Sequence, residues 1–368
     1  MDTYSGRLAI QQRVLPFYRA PFFDTLAKGC PGGLELFAGL PRSSEAIETV
    51  NHLDVAKLIP ARNIHLLQGP LYMCLQPGFV KWLELFQPDA LIIEANPRYL
   101  STPAAIRWMH ARRKPVIGWG LGAPAIKGPF AAFRSQSRVR FLNQLDAMIA
   151  YSQQGAEEYA ACGIPSSRIF VAPNSSSFRP ENVLPERPSI REGHLRILFV
   201  GRLQARKRLD LLFDACGALP ENLRPEITVV GDGPDRAMLE KIAAAKYPSA
   251  VFAGMKTGRE LDPFFQQADL FVLPGTGGLA VQQAMSFGLP VIVAEGDGSQ
   301  SQLVRPGNGW LVTPGSLTDL TQTLAIALAD PAGLRKKGLE SYRIVRDEIN
   351  IEKMVEVFLT AIRSASRI

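Results

Sequence analysis

The chain has 368 residues, more than a single hydrophobic core usually supports, so we expect two domains. Hydrophobic residues make up 46% and charged residues 20%, a balance that excludes a wholly disordered chain. No apolar run is long enough to span a bilayer, and the first residues lack the order of a secretory signal, so we expect a cytoplasmic protein. The four cysteines are widely spaced without a Cys-x-x-Cys pair, which predicts reduced thiols rather than a zinc site.

The net charge of +7 is concentrated in the first half of the chain. Residues 1–193 contain 21 basic and 15 acidic side chains, whereas residues 194–368 contain 20 and 19. Residues 98–140 alone hold nine Lys or Arg residues and no Asp or Glu. Such a stretch favours a polyanion or an anionic membrane as a partner. Nucleic acid is disfavoured, because no basic repeat or recognised binding module accompanies the patch.

Apolar runs in the first half predict strands that alternate with helices. The predicted strands are 90–94, 115–119 and 147–151, and the predicted helices are 21–28, 102–112 and 130–142. In the last of these helices, Phe130, Phe133 and Phe141 form one stripe, with Arg134 and Arg138 beside them. This pattern fits a helix at a membrane interface. It also fits a helix whose phenylalanines face the domain core while its arginines face water.

A break in the pattern follows at residues 173–193, where four prolines accompany Ser, Asn and charged residues without apolar periodicity. This composition predicts an interdomain linker between domains at 1–172 and 194–350. Beyond it, predicted strands at 197–200, 227–230 and 270–273 alternate with predicted helices at 209–219, 236–245 and 279–287. Alternation of this kind is typical of a parallel sheet with helices on both faces, so we predict an α/β fold with two doubly wound domains facing a cleft.

The first strand after the linker runs into a loop with two fixed cations. Residues 196–213 read as an apolar strand, then Gly201, Arg202 and Lys207, then a helix. At the carboxyl end of a parallel strand, such a pair can neutralise the charge of a departing nucleotide diphosphate. A basic helix start on a solvated surface is the alternative interpretation.

Two further strand ends carry glycines. Residues 227–243 contain Gly-Asp-Gly-Pro after a strand, which suits a tight turn but lacks the GxGxxG spacing of a dinucleotide site. Residues 268–294 contain a buried strand, the sequence Gly-Thr-Gly-Gly at 275–278, and a helix whose first N–H groups are available to an anion. This third loop predicts a phosphate cradle, with a flexible loop as the alternative.

In this order, the motifs resemble the donor domain of GT-B glycosyltransferases, specifically the large retaining family 4. Five motifs carry the resemblance: GRLxxxK at 201–207, VVGDGP at 229–234, a turn at Gly254, ADLFVLP at 268–274 and GLAVQQAMSFGLPVIVA at 278–294. The first half is similar more weakly, through LPFYRAPFFDTLA at 15–27 and the segment 147–174. The resemblance implies two Rossmann-like domains, the first for the acceptor and the second for a nucleotide sugar. It also implies that a last helix at 351–368 crosses back to the first domain.

The resemblance assigns roles to individual positions. Arg202 and Lys207 would hold the donor diphosphate and act in catalysis, and the base would lie near residues 254–256. The donor-binding positions are Gly201, Gly254, Met255, Lys256, Gly275, Thr276, Gly277, Gly278, Leu279 and Gln283. The acceptor-side positions are Tyr18, Arg19, Trp119 and Gly120.

The chain departs from the family at two glutamates that are usually eight positions apart. Alignment places Gly275 at the first and Gln283 at the second, while Gln302 takes the approximate place of a third acid. The Gln283 amide can still hydrogen-bond a ribose diol, but Gly275 offers no side chain. Three explanations stay open: an unusual donor, backbone groups of 275–278 in place of the carboxylate, or impaired catalysis.

We expect no metal and no other cofactor. The chain has no DxD motif, and Glu295-Gly296-Asp297 fits a turn better than a metal site. Cations replace a metal in the resembled enzymes, and Arg202 with Lys207 would do so here. None of the four histidines follows a convincing cleft-facing strand end. A retaining front-face mechanism tolerates this, because the leaving phosphate can accept the acceptor's proton.

The leading hypothesis is a retaining glycosyltransferase that moves a sugar from a nucleotide-sugar donor to a hydroxyl of a glycan or lipid-linked acceptor. Its place would be cell-surface polysaccharide or glycolipid synthesis at the inner membrane face, with a peripheral contact to anionic lipid. One alternative is a noncatalytic GT-B protein that binds nucleotide sugar or serves as a partner subunit. A sugar-nucleotide epimerase of the same architecture is another, and it would convert donor without acceptor.

Overall fold

The computed structural model describes residues 3–45, 47–69, 72–128, 130–180, 184, 195–277, 279–296 and 300–367. The chain divides into two compact units, the first made of Met1–Ser176 with Ile351–Ile368 and the second of Ser177–Asn350. Of the linker predicted at 173–193, residues 173–180 and 184 are described, and the rest lies outside the described residues.

The first unit is built on a parallel sheet. Its strands are β1 (Leu8–Val14), β2 (Leu34–Gly39), β3 (Lys57–Pro60), β4 (Ile64–Leu66), β5 (Met73–Leu75), β6 (Ala90–Glu94), β7 (Val116–Gly120), β8 (Ala147–Ala150) and β9 (Ile169–Val171). Among the described residues, seven of them pair in parallel in the order β3-β2-β1-β6-β7-β8-β9, and β4 and β5 form a separate antiparallel pair. The helices of this part of the chain are α1 (Ala20–Lys28), α2 (Phe79–Phe86), α3 (Thr102–His110), α4 (Ala131–Leu142) and α5 (Gln153–Ala161).

The second unit repeats this design. Its strands are β10 (Arg196–Val200), β11 (Glu226–Val230), β12 (Val251–Gly254), β13 (Leu270–Leu273), β14 (Val291–Ala294) and β15 (Gly309–Val312). They pair in parallel in the order β12-β11-β10-β13-β14-β15. The helices are α6 (Leu209–Gly217), α7 (Arg236–Lys246), α8 (Asp262–Gln267), α9 (Leu279–Ser286), α10 (Gln300–Leu303), α11 (Leu317–Ala329) and α12 (Pro331–Asp347).

The last helix, α13 (Ile351–Ala365), belongs to the first unit although it follows the second in sequence. Its Phe358 ring lies 4.9 Å from the ring of Phe22 and 4.9 Å from that of Trp119, measured between centroids. Edge-to-face contacts of this kind add to the burial of large apolar surfaces. The end of the chain therefore completes the core of the unit that the start of the chain begins.

Two parallel doubly wound sheets confirm the predicted α/β class. Their central strands are buried on both faces, which explains why they appear in the sequence as near-continuous apolar runs. All four cysteines are free thiols, as predicted. Within the described residues, no helix combines the length and the apolar character needed to cross a bilayer.

Candidate functional site

The strand order of the second unit reverses between β10 and β13, which are neighbours in the sheet. In doubly wound folds, ligands bind at the carboxyl ends of the strands on either side of such a reversal, because the two outgoing loops leave a crevice. Here those loops are residues 201–208 and 274–277. Lys207 and Gly275, both predicted as donor-site positions, lie on these two loops.

The two loops touch backbone to backbone. A β-carbon at Gly275 would lie 2.6 Å from the Cα of Lys207 and would also collide with the carbonyl oxygen of Arg206. The backbone N–H of Thr276 donates to that same carbonyl over 3.0 Å. Glycine is therefore required at 275, and a carboxylate cannot occupy this place without separating the loops.

The side chain of Lys207 extends along residues 274–277, which we call the glycine loop. Its Nζ fills the space that a β-carbon would take at Gly277, a residue whose φ of +129° suits glycine. Burial, together with the positive charge of Arg206, lowers the pKa of Lys207 to about 8. In the described part of the chain, no carboxylate forms an ion pair with Lys207. An anion bound at this loop would favour the charged form of the lysine.

Arg206 is a candidate that the motif pattern missed. Its Nε donates to Gln204 Oε1 over 2.9 Å, and its Nη1 donates to the hydroxyl of Thr276 over 3.3 Å. It occupies a variable position of GRLxxxK, so the motif gave it no role. The signal that could have found it is the run of three cations at 206–208.

Arg208 differs from Arg206 and Lys207 because an adjacent carboxylate neutralises its charge. It lies at the start of α6 with a left-handed φ of +52°. Its guanidinium forms an ion pair with Asp210 over 3.2 Å. The sequence-predicted Arg202 lies on the same loop, and its side chain is exposed.

Three neighbouring strand ends are joined by backbone hydrogen bonds. Gly201 N donates to Val230 O over 3.0 Å, and Gly231 N donates to Gly254 O over 2.9 Å. A β-carbon at Gly231 would collide with the carbonyl of Gly201, so these loops depend on glycine for their close approach. The sequence motifs at 201, 231 and 254 thus lie side by side at the carboxyl ends of β10, β11 and β12.

Beyond Gly254 the chain turns out of the sheet, because φ of this residue is +74°. Met255 is exposed and Lys256 is half-buried. In the sheet order they are separated from β10 by β11. Their predicted contact with a nucleotide base stays a prediction.

The helix after the glycine loop, α9, begins at Leu279, and Gly278 lies outside the described residues. Gln282 is buried, and its Nε2 donates to the carbonyl of Ile349 over 2.7 Å. Gln283 follows one position later and is half-buried. Because adjacent helix residues point about 100° apart, the two amides face different surroundings. Gln282 stabilises the second unit through this hydrogen bond. The ribose contact expected of Gln283 stays a prediction.

No group of three or more His, Cys, Asp or Glu side chains that could hold a metal is found within the described ranges. Asp297 of the Glu-Gly-Asp sequence lies outside the described residues, and Glu295 is exposed after β14. The expectation of metal independence stays a prediction.

In the first unit, three of the four predicted acceptor-side residues lie together. Arg19 is only 7% exposed, and its Cζ lies 4.9 Å from the ring centroid of Trp119 and 5.9 Å from that of Tyr18. Its Nη2 donates to the hydroxyl of Tyr151 over 3.4 Å. The fourth, Gly120, ends β7. The arginine therefore rests on aromatic faces, a contact that stabilises a buried cation.

Glu94 was missed by the sequence argument. It ends β6, and its carboxylate accepts from Arg13 N over 2.6 Å and from the Tyr99 hydroxyl over 2.7 Å. Burial raises the pKa of Glu94, although both hydrogen bonds oppose the shift. Because β6 adjoins β1 where the strand order of the first unit reverses, Glu94 lies at the carboxyl end of a strand where doubly wound folds generally bind ligands. An acidic last residue on an apolar strand is the signal that could have indicated it.

The helix α4 carries an apolar and basic surface. Phe130, just before it, is 81% exposed, and Phe133 is 70% exposed, whereas Phe141 is 6% exposed. The interpretation that all three phenylalanines face the core is therefore wrong for Phe130 and Phe133. Lys127 is exposed nearby, and Arg138 donates to the carbonyl of Pro124 over 2.7 Å. Exposed aromatic rings beside cations mark an interaction surface.

The loops of this site fall within the part of the chain that a known family shares. Residues 181–342 match the family model described as "Glycosyl transferases group 1". This match includes both loops, 201–208 and 274–277, that follow β10 and β13. We call the place where the strand order reverses between these two strands the switch point of the second unit.

Curated relatives extend the group 1 similarity. The chain is 35% identical over 288 residues to the sulfoquinovosyl transferase SQD2 of Arabidopsis thaliana, which covers 71% of this chain and 54% of that protein. It is 36% identical over 261 residues to a GDP-mannose-dependent alpha-mannosyltransferase of Mycolicibacterium smegmatis, covering 63% and 62% of the two chains. The matches thus span between 54% and 62% of the length of these relatives.

Solved structures show the fold of the chain. HepE of Anabaena in complex with UDP aligns with a TM-score of 0.70 at 15% identity, covering 99% of this chain and 100% of that one. The lipopolysaccharide outer core galactosyltransferase WaaB in its apo form aligns with a TM-score of 0.68 at 17% identity, covering 96% and 99%. The chain has the GT-B fold, as the sequence resemblance implied.

Proposed function

We propose that this protein is a retaining glycosyltransferase that transfers a sugar from a nucleotide-sugar donor to a hydroxyl of a glycan or lipid-linked acceptor. Its place is the synthesis of cell-surface polysaccharide or glycolipid. The observation that carries the proposal is the position of Lys207. A lysine with no carboxylate partner in the described chain lies against a glycine loop at the switch point of the second unit.

This arrangement suits the diphosphate of a nucleotide sugar. Lys207 is a compact charge beside Gly277, and Arg202 offers a planar fork from the same loop. The backbone of the glycine loop lies beside Lys207, and α9 begins soon after it at Leu279. The N–H groups at a helix start favour a phosphate. We assign Arg202 and Lys207 to the phosphates, Gln283 to the ribose and residues 254–256 to the base.

The chemistry that these groups support is displacement of the nucleotide diphosphate. The bond from the sugar C1 to the β-phosphate oxygen breaks, and a bond from C1 to the acceptor oxygen forms on the same face. The acceptor's proton passes to the departing phosphate oxygen, so no protein nucleophile is needed. Lys207 and Arg202 would stabilise the charge that grows on this phosphate.

We infer that the transfer needs no metal, because these cations supply the charge. The test is release of nucleotide diphosphate from a panel of UDP- and GDP-sugars, with and without acceptor extracts, and with and without EDTA. We expect release that depends on acceptor and persists in EDTA. Release that EDTA abolishes and Mg²⁺ restores would contradict the metal-independent part.

A second candidate function is a noncatalytic nucleotide-sugar-binding subunit. One observation favours it: the contact of Gly275 with the 206–207 backbone leaves no room for the carboxylate that the resembled enzymes carry there. In that case the protein binds nucleotide sugar without release of diphosphate in any acceptor extract. Conversion of donor in the absence of acceptor would instead indicate an epimerase.

We further propose that the protein acts peripherally at the inner membrane face. The exposed rings of Phe130 and Phe133 would enter the headgroup region of an anionic bilayer. The stretch 98–140, which has no acidic residue, would attract that surface. A lipid-linked acceptor would then be reached from the membrane.

A further inference from the structure

The switch-point loops of the second unit carry more positive charge than a diphosphate needs. Residues 201–208 and 274–277 contain no acidic residue and four cations, which are Arg202, Arg206, Lys207 and Arg208. Arg208 is paired with Asp210. Each phosphate of a nucleotide-diphosphate sugar carries a single negative charge. If Arg202 and Lys207 neutralise the two phosphates, as proposed above, the positive charge of Arg206 is left over.

The backbone of Arg206 is held at the glycine loop, and the hydrogen bonds of its side chain, including one of 2.9 Å from Nε to Gln204 Oε1, go to neutral acceptors. Its carbonyl accepts from Thr276 N over 3.0 Å, which fixes the turn against the loop. Its Nη1 reaches the Thr276 hydroxyl at 3.3 Å and the Thr276 carbonyl at 3.5 Å, both at the long end of the hydrogen-bond range. The side chain is exposed. A stronger acceptor can therefore displace these contacts.

Carboxylates that could neutralise Arg206 belong to other loops. Asp232, after β11, accepts from Gly233 N over 2.6 Å and from Arg236 over 3.2 Å. Glu295, after β14, is exposed and is separated from β10 by β13 in the sheet order. At position 275 itself, the backbone of Arg206 and Lys207 excludes any side chain. Among the described residues, the surroundings of the glycine loop are thus positive where the resemblance would place a carboxylate.

We propose that the donor carries a negatively charged group on its sugar, a carboxylate or a sulfonate, and that Arg206 binds this oxyanion. A guanidinium presents a planar fork that matches the paired oxygens of such a group. This inference rests on the proposed function and names the donor class. A neutral hexose offers this guanidinium only hydroxyls, which accept weaker hydrogen bonds from a cation than a carboxylate does.

The experiment compares donors that differ only at C6 of the sugar. Calorimetry would give the Kd of UDP-glucuronate against UDP-glucose and of GDP-mannuronate against GDP-mannose. In the series whose base the protein accepts, we expect the uronate to bind about tenfold more tightly or better, the worth of one charge-assisted hydrogen bond. The Arg206→Gln variant should bring the ratio close to unity, and Arg206→Glu should invert it. Lys241→Ala, which removes an exposed cation on α7, should leave the ratio unchanged.

The outcomes separate this inference from the function on which it rests. Equal or tighter binding of the neutral donors overturns the inference and leaves the glycosyltransferase proposal in place. A uronate preference that survives in Arg206→Glu also overturns it, because another group then binds the oxyanion. If no nucleotide sugar or nucleotide diphosphate binds the wild-type protein, both proposals fail. Thermal unfolding of each variant shows whether it is folded, so that a change in donor preference is not confused with a loss of folding.

Discussion

Lys207 Nζ occupies the place that a β-carbon would take at Gly277, so the absence of a side chain at 277 is what admits the ammonium to the glycine loop. The lysine and the glycine come from loops that follow different strands, β10 and β13. Their pairing joins two sequence motifs into one candidate phosphate site. It also buries the lysine enough to change its titration.

Donor binding should depend on pH through Lys207. Its pKa in the free protein is lowered to about 8, and a bound diphosphate would raise it. Below pH 8 the lysine is charged in both states, so the affinity is constant. Above pH 8 the free lysine loses its proton, binding must take one up, and the affinity falls until the pKa of the complex is passed.

Calorimetry with UDP-glucose or GDP-mannose at pH 8.5, in two buffers of different ionisation enthalpy, measures that proton. We expect net uptake by the wild-type protein and none by Lys207→Arg, because arginine stays charged throughout this range. Absence of uptake in the wild type, or equal uptake in both proteins, would show that Lys207 does not contact the phosphates.

Gly275→Ala should destabilise the second unit. The added β-carbon would lie 2.6 Å from Lys207 Cα and too close to the carbonyl of Arg206, and backbone cannot move aside as a side-chain tip can. We expect a loss of about 1–3 kcal/mol in the free energy of unfolding, as for other overpacked positions. The measurement is a urea titration followed by circular dichroism.

Gly217→Ala is the matched control, because its β-carbon would meet only Lys246 O at an ordinary 3.4 Å and lies at the end of α6. This change should be neutral or stabilise by up to about 1 kcal/mol. Equal stability of the two variants would mean that the loops do not touch at Gly275.

Gln283 should contribute one neutral hydrogen bond to the donor. Gln283→Ala should weaken nucleotide binding by about 0.5–1.5 kcal/mol, and Gln283→Glu should preserve or tighten it, because a carboxylate accepts from a ribose diol more strongly. Gln282→Ala is the contrasting variant, since Gln282 binds the carbonyl of Ile349 and its loss should lower stability. Unaltered nucleotide affinity in Gln283→Ala would remove this residue from the site.

The surface of α4 should bind anionic vesicles. We expect the protein to sediment with vesicles of phosphatidylglycerol and phosphatidylcholine but not with phosphatidylcholine alone. The double variant Phe130→Ser, Phe133→Ser should lose about tenfold or more in affinity, because burying each ring contributes about 1.5–3 kcal/mol at most. Leu339→Ser, another exposed apolar residue, is the control in the second unit. Equal binding by the double variant and the wild type would show that Phe130 and Phe133 do not contribute to membrane binding.

The sequence predicted best those elements whose apolar runs are unbroken. The strands Ala90–Glu94 and Leu270–Leu273 have the predicted ends. The central strand Leu8–Val14 was not predicted, because Gln11 interrupts its apolar pattern. Gln11 is nevertheless buried, since its Nε2 donates to Gln76 Oε1 over 2.7 Å across 65 residues. A partner so distant in sequence is invisible to local pattern.

The candidate site divides in the same way. Lys207 and Gly275 were predicted because each belongs to a motif. The roles of Arg206 and Glu94 depend on which strands are neighbours, β10 with β13 and β6 with β1. Glycine in place of a carboxylate was visible in the sequence, but its cause, the contact with the 206–207 backbone, is tertiary.

The most direct test of the central claim is calorimetric titration of UDP and GDP into the wild-type protein, Arg202→Ala and Lys207→Ala. Lys353→Ala serves as the control, because Lys353 pairs with Glu356 on α13 in the other unit. We predict that each site variant binds the preferred nucleotide about 1.5–3 kcal/mol more weakly than the wild type, the worth of a charge-assisted contact, while the control is unchanged. Wild-type affinity in Lys207→Ala and Arg202→Ala would contradict the assignment of the switch-point loops to the donor diphosphate.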